Sequence, residues 1–151
     1  MLTTSAKQLA AHETIPEDTA TWEARPGVGR YILGAVLSQA FDRKLPIVEA
    51  NSLRVLARLF GYRGDPREGA GKAWVWQAAE SVLPEARVGD FNQALMELGA
   101  LVCTPAKPRC GECPLAAVCV ANRKGLQDVI PPPKKAKEVV QVREVGVVVW
   151  R

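Results

Sequence analysis

From the start of the chain to about residue 123, apolar positions recur every three or four residues, and no stretch there alternates strictly every two. That periodicity predicts an all-α body. Over 30–41 the apolar face is Leu33, Val36, Leu37 and Ala40, while Gly34, Ala35 and Ser38 are small enough to admit a closely packed neighbour. Over 51–60 the face is Leu53, Leu56, Ala57 and Phe60, with Arg54 and Arg58 together on another side and Gly61 placed as a C-terminal stop. A further helix is predicted near 73–82. Another, over about 90–102, buries Phe91, Leu95, Leu98 and Val102 and delivers the chain into Cys103. Residues 19–24 read as a short helix ahead of a Gly/Pro turn. Trp22, Trp74 and Trp76 are assigned to packing, and His12, the single histidine, to a helix surface with no second ligand or base nearby in the sequence.

The pattern changes after residue 123. Pro131, Pro132 and Pro133, followed by Lys134, Lys135 and Lys137, cannot be helical and predict an extended basic linker over 124–142. Val145, Val147, Val148, Val149 and Trp150 then form a β-prone run over 143–151, read as the first strand of a second, truncated domain. With 48% apolar and 24% charged residues, the 151-residue chain has the balance of a globular protein rather than a disordered tail. The net charge of +4 permits a polyanionic partner without proving one. No run of eighteen apolar residues and no apolar export core are present, so no membrane partner and a cytoplasmic location are expected.

Three constellations carry chemistry. In Pro26-Gly27-Val28-Gly29, before the helix that starts near Arg30, two glycines allow backbone N–H groups to point outward at a helix N-terminus, where an anion such as a DNA phosphate is favoured. An ordinary tight turn is the alternative. The second constellation is Cys103-x6-Cys110-x2-Cys113-x5-Cys119. Without an export signal, four clustered thiols favour metal ligation over disulfides. The spacing alone leaves both tetrahedral zinc and an iron–sulfur cluster open. Lys107 and Arg109 stand between the first two cysteines, where a pinned loop would present them to phosphate. The third is Pro46-Ile47-Val48-Glu49-Ala50-Asn51, just before a helix. There Glu49 either stabilises a developing positive charge or simply caps the helix, and Asn51 has the same capping alternative.

Taken in order, Arg25 to Tyr31, Pro46 to Asn51 with Arg54-Val55-Leu56-Ala57-Arg58, Phe91-Asn92-Gln93-Ala94 through Glu97-Leu98-Gly99-Ala100, and the four-cysteine loop resemble the endonuclease III superfamily of helix-hairpin-helix DNA glycosylases, and within it the MutY-type adenine glycosylases. The resemblance covers about 1–123. It implies a partial helix-hairpin-helix glycosylase fold, with Cys103, Cys110, Cys113 and Cys119 holding a [4Fe-4S] cluster. It implies that Pro26, Gly27, Val28, Gly29, Arg30, Lys107 and Arg109 contact double-stranded DNA. Catalysis falls to Glu49, supported by Tyr31 and Asn51. The expected reaction removes adenine mispaired with 8-oxoguanine or guanine from the duplex, by a monomer working on nucleoid DNA.

Family members that also cut the strand carry a lysine where Tyr31 stands, because an amine must attack the sugar. A monofunctional glycosylase is therefore expected. Two departures stand out. Glu49 occupies the place of the family's essential aspartate, and the extra methylene shifts the carboxylate by about an ångström, a displacement that can cost on the order of a hundredfold in rate. The family's general-acid glutamate lies upstream of the segment matching Met1, and a domain similar to NUDIX hydrolases follows, matched only by 143–151. The chain as given is expected to be a fragment with impaired activity. The competing expectations are an endonuclease III-like glycosylase-lyase, a non-catalytic iron–sulfur DNA-binding module and a zinc protein.

Overall fold

The computed structural model describes residues 2–134 together with Gly146 and Val149. The β-prone run and second domain expected over 143–151 therefore lie, but for those two residues, outside the described part, as does the linker beyond Lys134. The described residues form seven helices: α1 (Leu2–Leu9), α2 (Thr19–Glu23), α3 (Arg30–Phe41), α4 (Ala50–Phe60), α5 (Gly69–Ser81), α6 (Val88–Leu101) and α7 (Val120–Lys124), with a single 3-10 turn at Cys110–Glu112. The predicted all-α class holds. None of these helices is long and apolar enough to cross a membrane.

Helix α4 is the hub, packing on α5, α6 and α7, while α3 packs on α6 and α2. Its core is Val55 and Leu56 with Val75, Ala79 and Leu95, and a second cluster joins Trp22, Leu33 and Leu37. Each of the larger apolar side chains contributes roughly 1.5–3 kcal/mol on burial. The Trp22 indole nitrogen donates to the Pro16 carbonyl at 2.7 Å, which satisfies its polar atom inside the core.

Polar contacts set where the helices start and how closely they meet. Asp42 ends α3 in a left-handed conformation (φ 53°) and its carboxylate accepts from the backbone N–H groups of Arg87 and Gly89, so the end of α3 caps the start of α6. Those N–H groups, Gly89 first, hold the Asp42 carboxyl below its ordinary value. Asn92, 2% exposed, accepts from Ile47 N–H and donates to Ser38 Oγ and the Leu45 carbonyl, tying α6 to α3 and to the strap before α4.

The expected faces are partly rotated. On α3, Leu33, Gly34, Leu37 and Ser38 are buried and Ala40 is exposed. A Cβ on Gly34 would stand 2.2 Å from the Pro46 carbonyl oxygen, so the glycine admits backbone rather than another helix's side chains. On α4, Phe60 is 44% exposed, whereas Arg54 and Arg58 are 8% and 3% exposed. Helix α5 starts at Gly69, four residues before the predicted 73, because Gly71 lies directly on the Asp65 carbonyl, where a Cβ would approach to 1.9 Å. Two glycines in a first turn conceal a helix from periodicity. His12 sits in the bend after α1, not on a helix, with its Nε2 2.9 Å from an Arg25 nitrogen. The helical body also continues past residue 123: Ile130, expected in the linker, is 2% exposed.

Candidate functional site

The hairpin between α2 and α3 is built by Gly27, whose φ of 86° only glycine adopts without strain, and by Gly29, which starts α3 in an extended conformation without a side-chain cap. The first turn of α3 therefore has no acceptor from its own cap residue. Ser5 Oγ of α1 donates to the Pro26 carbonyl at 2.8 Å, and Val28 packs on the Trp22 cluster, so the turn is braced from both sides. Arg30 is engaged elsewhere. Its guanidinium lies 4.1 Å over the Trp76 ring and pairs with Glu80, clamping α3 onto α5. Tyr31 is 46% exposed on the first turn of α3.

Glu49 is the N-cap of α4. Its Oε1 accepts from the N–H groups of Asn51 and Ser52, both at 2.8 Å, while Ser52 Oγ accepts from Glu49 N–H at 2.9 Å and donates to the Ile47 carbonyl at 3.1 Å. This reciprocal box realises the capping alternative and fixes the carboxylate at the positive end of the helix. Glu49 also lines a groove of about 840 Å³ between α4, α5 and the segment 128–134, with Val48, Leu53, Val75, Trp76 and Ile130 apolar and Arg67 and Lys72 cationic along it. Tyr31 and Asn51 do not line this groove. Asn51 instead packs against Gly99, where a Cβ would lie 2.6 Å from its own, and its Oδ1 accepts from Arg54 at 2.9 Å.

The other flank of α4 faces the four cysteines. Arg54 donates to the carbonyls of Cys103, Gly99 and Ala50, so it satisfies carbonyls left open at the C-terminal end of α6 and lies in the negative field of that end. Burial pushes its pKa below the ordinary arginine value, with the nearby Cys103 opposing the shift. Arg58 donates to the carbonyls of Ile130, Cys103, Thr104 and Pro105 and, at 3.3 Å, to Cys103 Sγ. Cys119 Sγ in turn donates to the Arg58 carbonyl at 3.4 Å.

Cys103, Cys110, Cys113 and Cys119 are free, half-buried and line one small cavity with Arg58 and Gln127. Burial first, then the three neighbouring thiols, push the Cys110 thiol upward. Among the described residues no three His, Cys, Asp or Glu side chains form a group that holds a metal ion as they stand. The donor chemistry still fits an iron–sulfur cluster: four soft sulfurs face one cavity, and a guanidinium N–H already points at one of them. Beside them Lys107 takes a left-handed conformation (φ 51°), and Arg109 donates to the Leu101 carbonyl and pairs with Glu112 at 2.9 Å.

No family model matches the chain. It is 44% identical to the adenine DNA glycosylase of Schizosaccharomyces pombe over 117 residues, 77% of this chain and 25% of that protein. The human adenine DNA glycosylase is 44% identical over 103 residues, 68% of this chain and 19% of that protein. The matched residues of this chain resemble a segment of the adenine DNA glycosylases. The chain spans about a fifth to a quarter of the length of those relatives. Its fold is that of the helix-hairpin-helix glycosylases: a solved thermostable thymine-DNA glycosylase superposes with a TM-score of 0.66 at 30% identity, over 80% of this chain and 56% of that one.

The structure assembles the cysteines into one cavity, places Glu49 at a groove and leaves Tyr31 apart from both. Sequence reasoning missed the burial of Arg54 and Arg58. The available signal was their i, i+4 spacing, which places both on one flank beside the apolar face. It also missed Ser52, the partner of Glu49 in the cap.

Proposed function

We propose that this chain acts on double-stranded DNA holding adenine opposite 8-oxoguanine or guanine and hydrolyses the N-glycosidic bond of that adenine. One observation carries the reading: the Glu49 carboxylate is fixed at the positive end of α4 on the edge of a groove, while the four-cysteine cavity is packed against the same helix. Glu49 stabilises the positive charge that develops on the sugar as the bond breaks, and water completes the release. The N–H groups after Gly29 take a phosphate, and Pro26, Gly27, Val28 and Gly29 shape that contact. Arg30 serves this contact indirectly, by anchoring the hairpin to α5 through Trp76 and Glu80.

Cys103, Cys110, Cys113 and Cys119 would hold a [4Fe-4S] cluster, which when bound supplies a rigid anchor for the loop. That loop carries Lys107 and Arg109 to the DNA backbone. Tyr31 offers no amine, so no covalent sugar adduct forms. Asn51 supports the site through Arg54. The protein works as a monomer on cytoplasmic, nucleoid DNA.

Single-turnover release of adenine from a duplex with adenine opposite 8-oxoguanine tests this. Release that disappears in Glu49→Gln, with no adduct trapped by borohydride, is the expected result. Release unaffected by Glu49→Gln, or a borohydride-trapped covalent complex, contradicts it.

A further inference from the structure

The segment 128–134 forms one wall of the Glu49 groove and is clasped to the helical body at two points by different chemistry. At Pro132 the clasp is Arg67, which donates to that carbonyl while its guanidinium is held by Asp65 two residues away. This clasp is local and independent of the cysteine loop. At Ile130 the clasp is Arg58, whose Nε donates to the Ile130 carbonyl at 2.8 Å. Its remaining hydrogen bonds all run to the cysteine loop: the carbonyls of Cys103, Thr104 and Pro105 and the sulfur of Cys103.

A guanidinium is a flat, rigid fork, so its two ends cannot be repositioned independently. Arg58 is also a buried cation whose acceptors are neutral carbonyls and one sulfur, a state that is costly unless negative charge lies close by. Thiols that ligate metal do so as thiolates, and Cys103 is the sulfur within reach of Arg58.

We propose that Arg58 is a positioning residue that couples occupancy of the four-cysteine cavity to docking of the groove wall at Ile130. When the cavity is filled, thiolate charge holds the Arg58 fork and with it the wall beside Glu49. When the cavity is emptied, the Arg58 clasp loosens and the Arg67 clasp at Pro132 remains. This rests on the reading that the cysteines carry an iron–sulfur cluster.

Hydrogen exchange read by mass spectrometry on the full chain tests the coupling, before and after the iron is stripped by chelation with mild oxidation. Iron content and absorbance are followed in parallel. Removal is expected to speed exchange at the amides of 126–130 by about tenfold or more while those of α3 stay unchanged. Arg58→Lys, in the iron-loaded state, is expected to show the same fast exchange at 126–130 with absorbance retained. Absorbance and protection lost together also support the coupling. Equal protection of 126–130 in loaded and stripped protein overturns the proposal while leaving the cluster reading intact, as does Arg58→Lys that keeps both. A chain that never takes up iron overturns both.

Discussion

The hairpin and the cysteine loop are both proposed to face DNA, yet they are held in place by opposite means. The hairpin rests on packing and backbone fit: Val28 on the Trp22, Leu33 and Leu37 cluster, Gly34 against the Pro46 carbonyl, and Ser5 on Pro26. The cysteine loop is held by two buried arginines, more than half of whose hydrogen bonds run to its backbone and to the end of α6. A loop fixed mainly by apolar fit, with the exposed Arg30–Glu80 pair a minor addition, depends little on charge state. One fixed by buried cations depends on what negative charge lies beside them.

The sharpest way to break that contrast is Arg58→Met, which takes the arginine donor from the carbonyls of Ile130, Thr104 and Pro105 and leaves that of Cys103 to Arg54 alone. A loss of about 4 kcal/mol or more is expected in urea unfolding, with the cysteine loop and 126–130 opening first. Gly34→Ala strikes the hairpin side. A Cβ 2.2 Å from the Pro46 oxygen forces backbone apart, and a loss of roughly 1–3 kcal/mol is expected. Should Gly34→Ala prove more damaging than Arg58→Met, the contrast would be reversed.

Between the two loops, Ser52→Ala removes one half of the Glu49 box and is expected to cost about 1 kcal/mol in thermal unfolding. The smallest effect concerns acid. The Asp42 carboxyl is depressed by the N–H groups of Gly89 and Arg87. Its contribution is therefore present above the ordinary carboxylate range and lost as pH falls through the folded value, below about pH 4. Asp42→Asn should flatten the pH dependence of stability in that acid window and leave its slope at neutral pH unchanged, as read by unfolding at a series of pH values.

Much of this arrangement was legible from residue types alone. The α3 boundaries over 30–41, the helix running into Cys103, the glycine hairpin and the four-cysteine loop all follow from local periodicity and turn chemistry. What escaped depended on tertiary neighbours. Arg54 and Arg58 look solvated until α6 and the cysteine loop bring carbonyls around them. The first turn of α5 was hidden by glycines whose reason is the Asp65 backbone. The wall at Ile130 runs into three prolines and three lysines that locally spell a connector, and its tie to Arg58, 72 residues away in sequence, is invisible to local pattern. Glu49 could be read as cap or as site residue. It caps α4 and lies in the groove at once, and the Glu49→Gln turnover assay addresses the chemistry.

The most direct test of the account is the affinity of the iron-loaded chain for a duplex with adenine opposite 8-oxoguanine, compared with the same duplex carrying an ordinary pair and measured across salt concentration by fluorescence anisotropy. The account predicts tighter binding to the mispaired duplex and an association constant whose logarithm falls linearly with the logarithm of salt concentration. Equal affinity for both duplexes, or binding indifferent to salt, would contradict it.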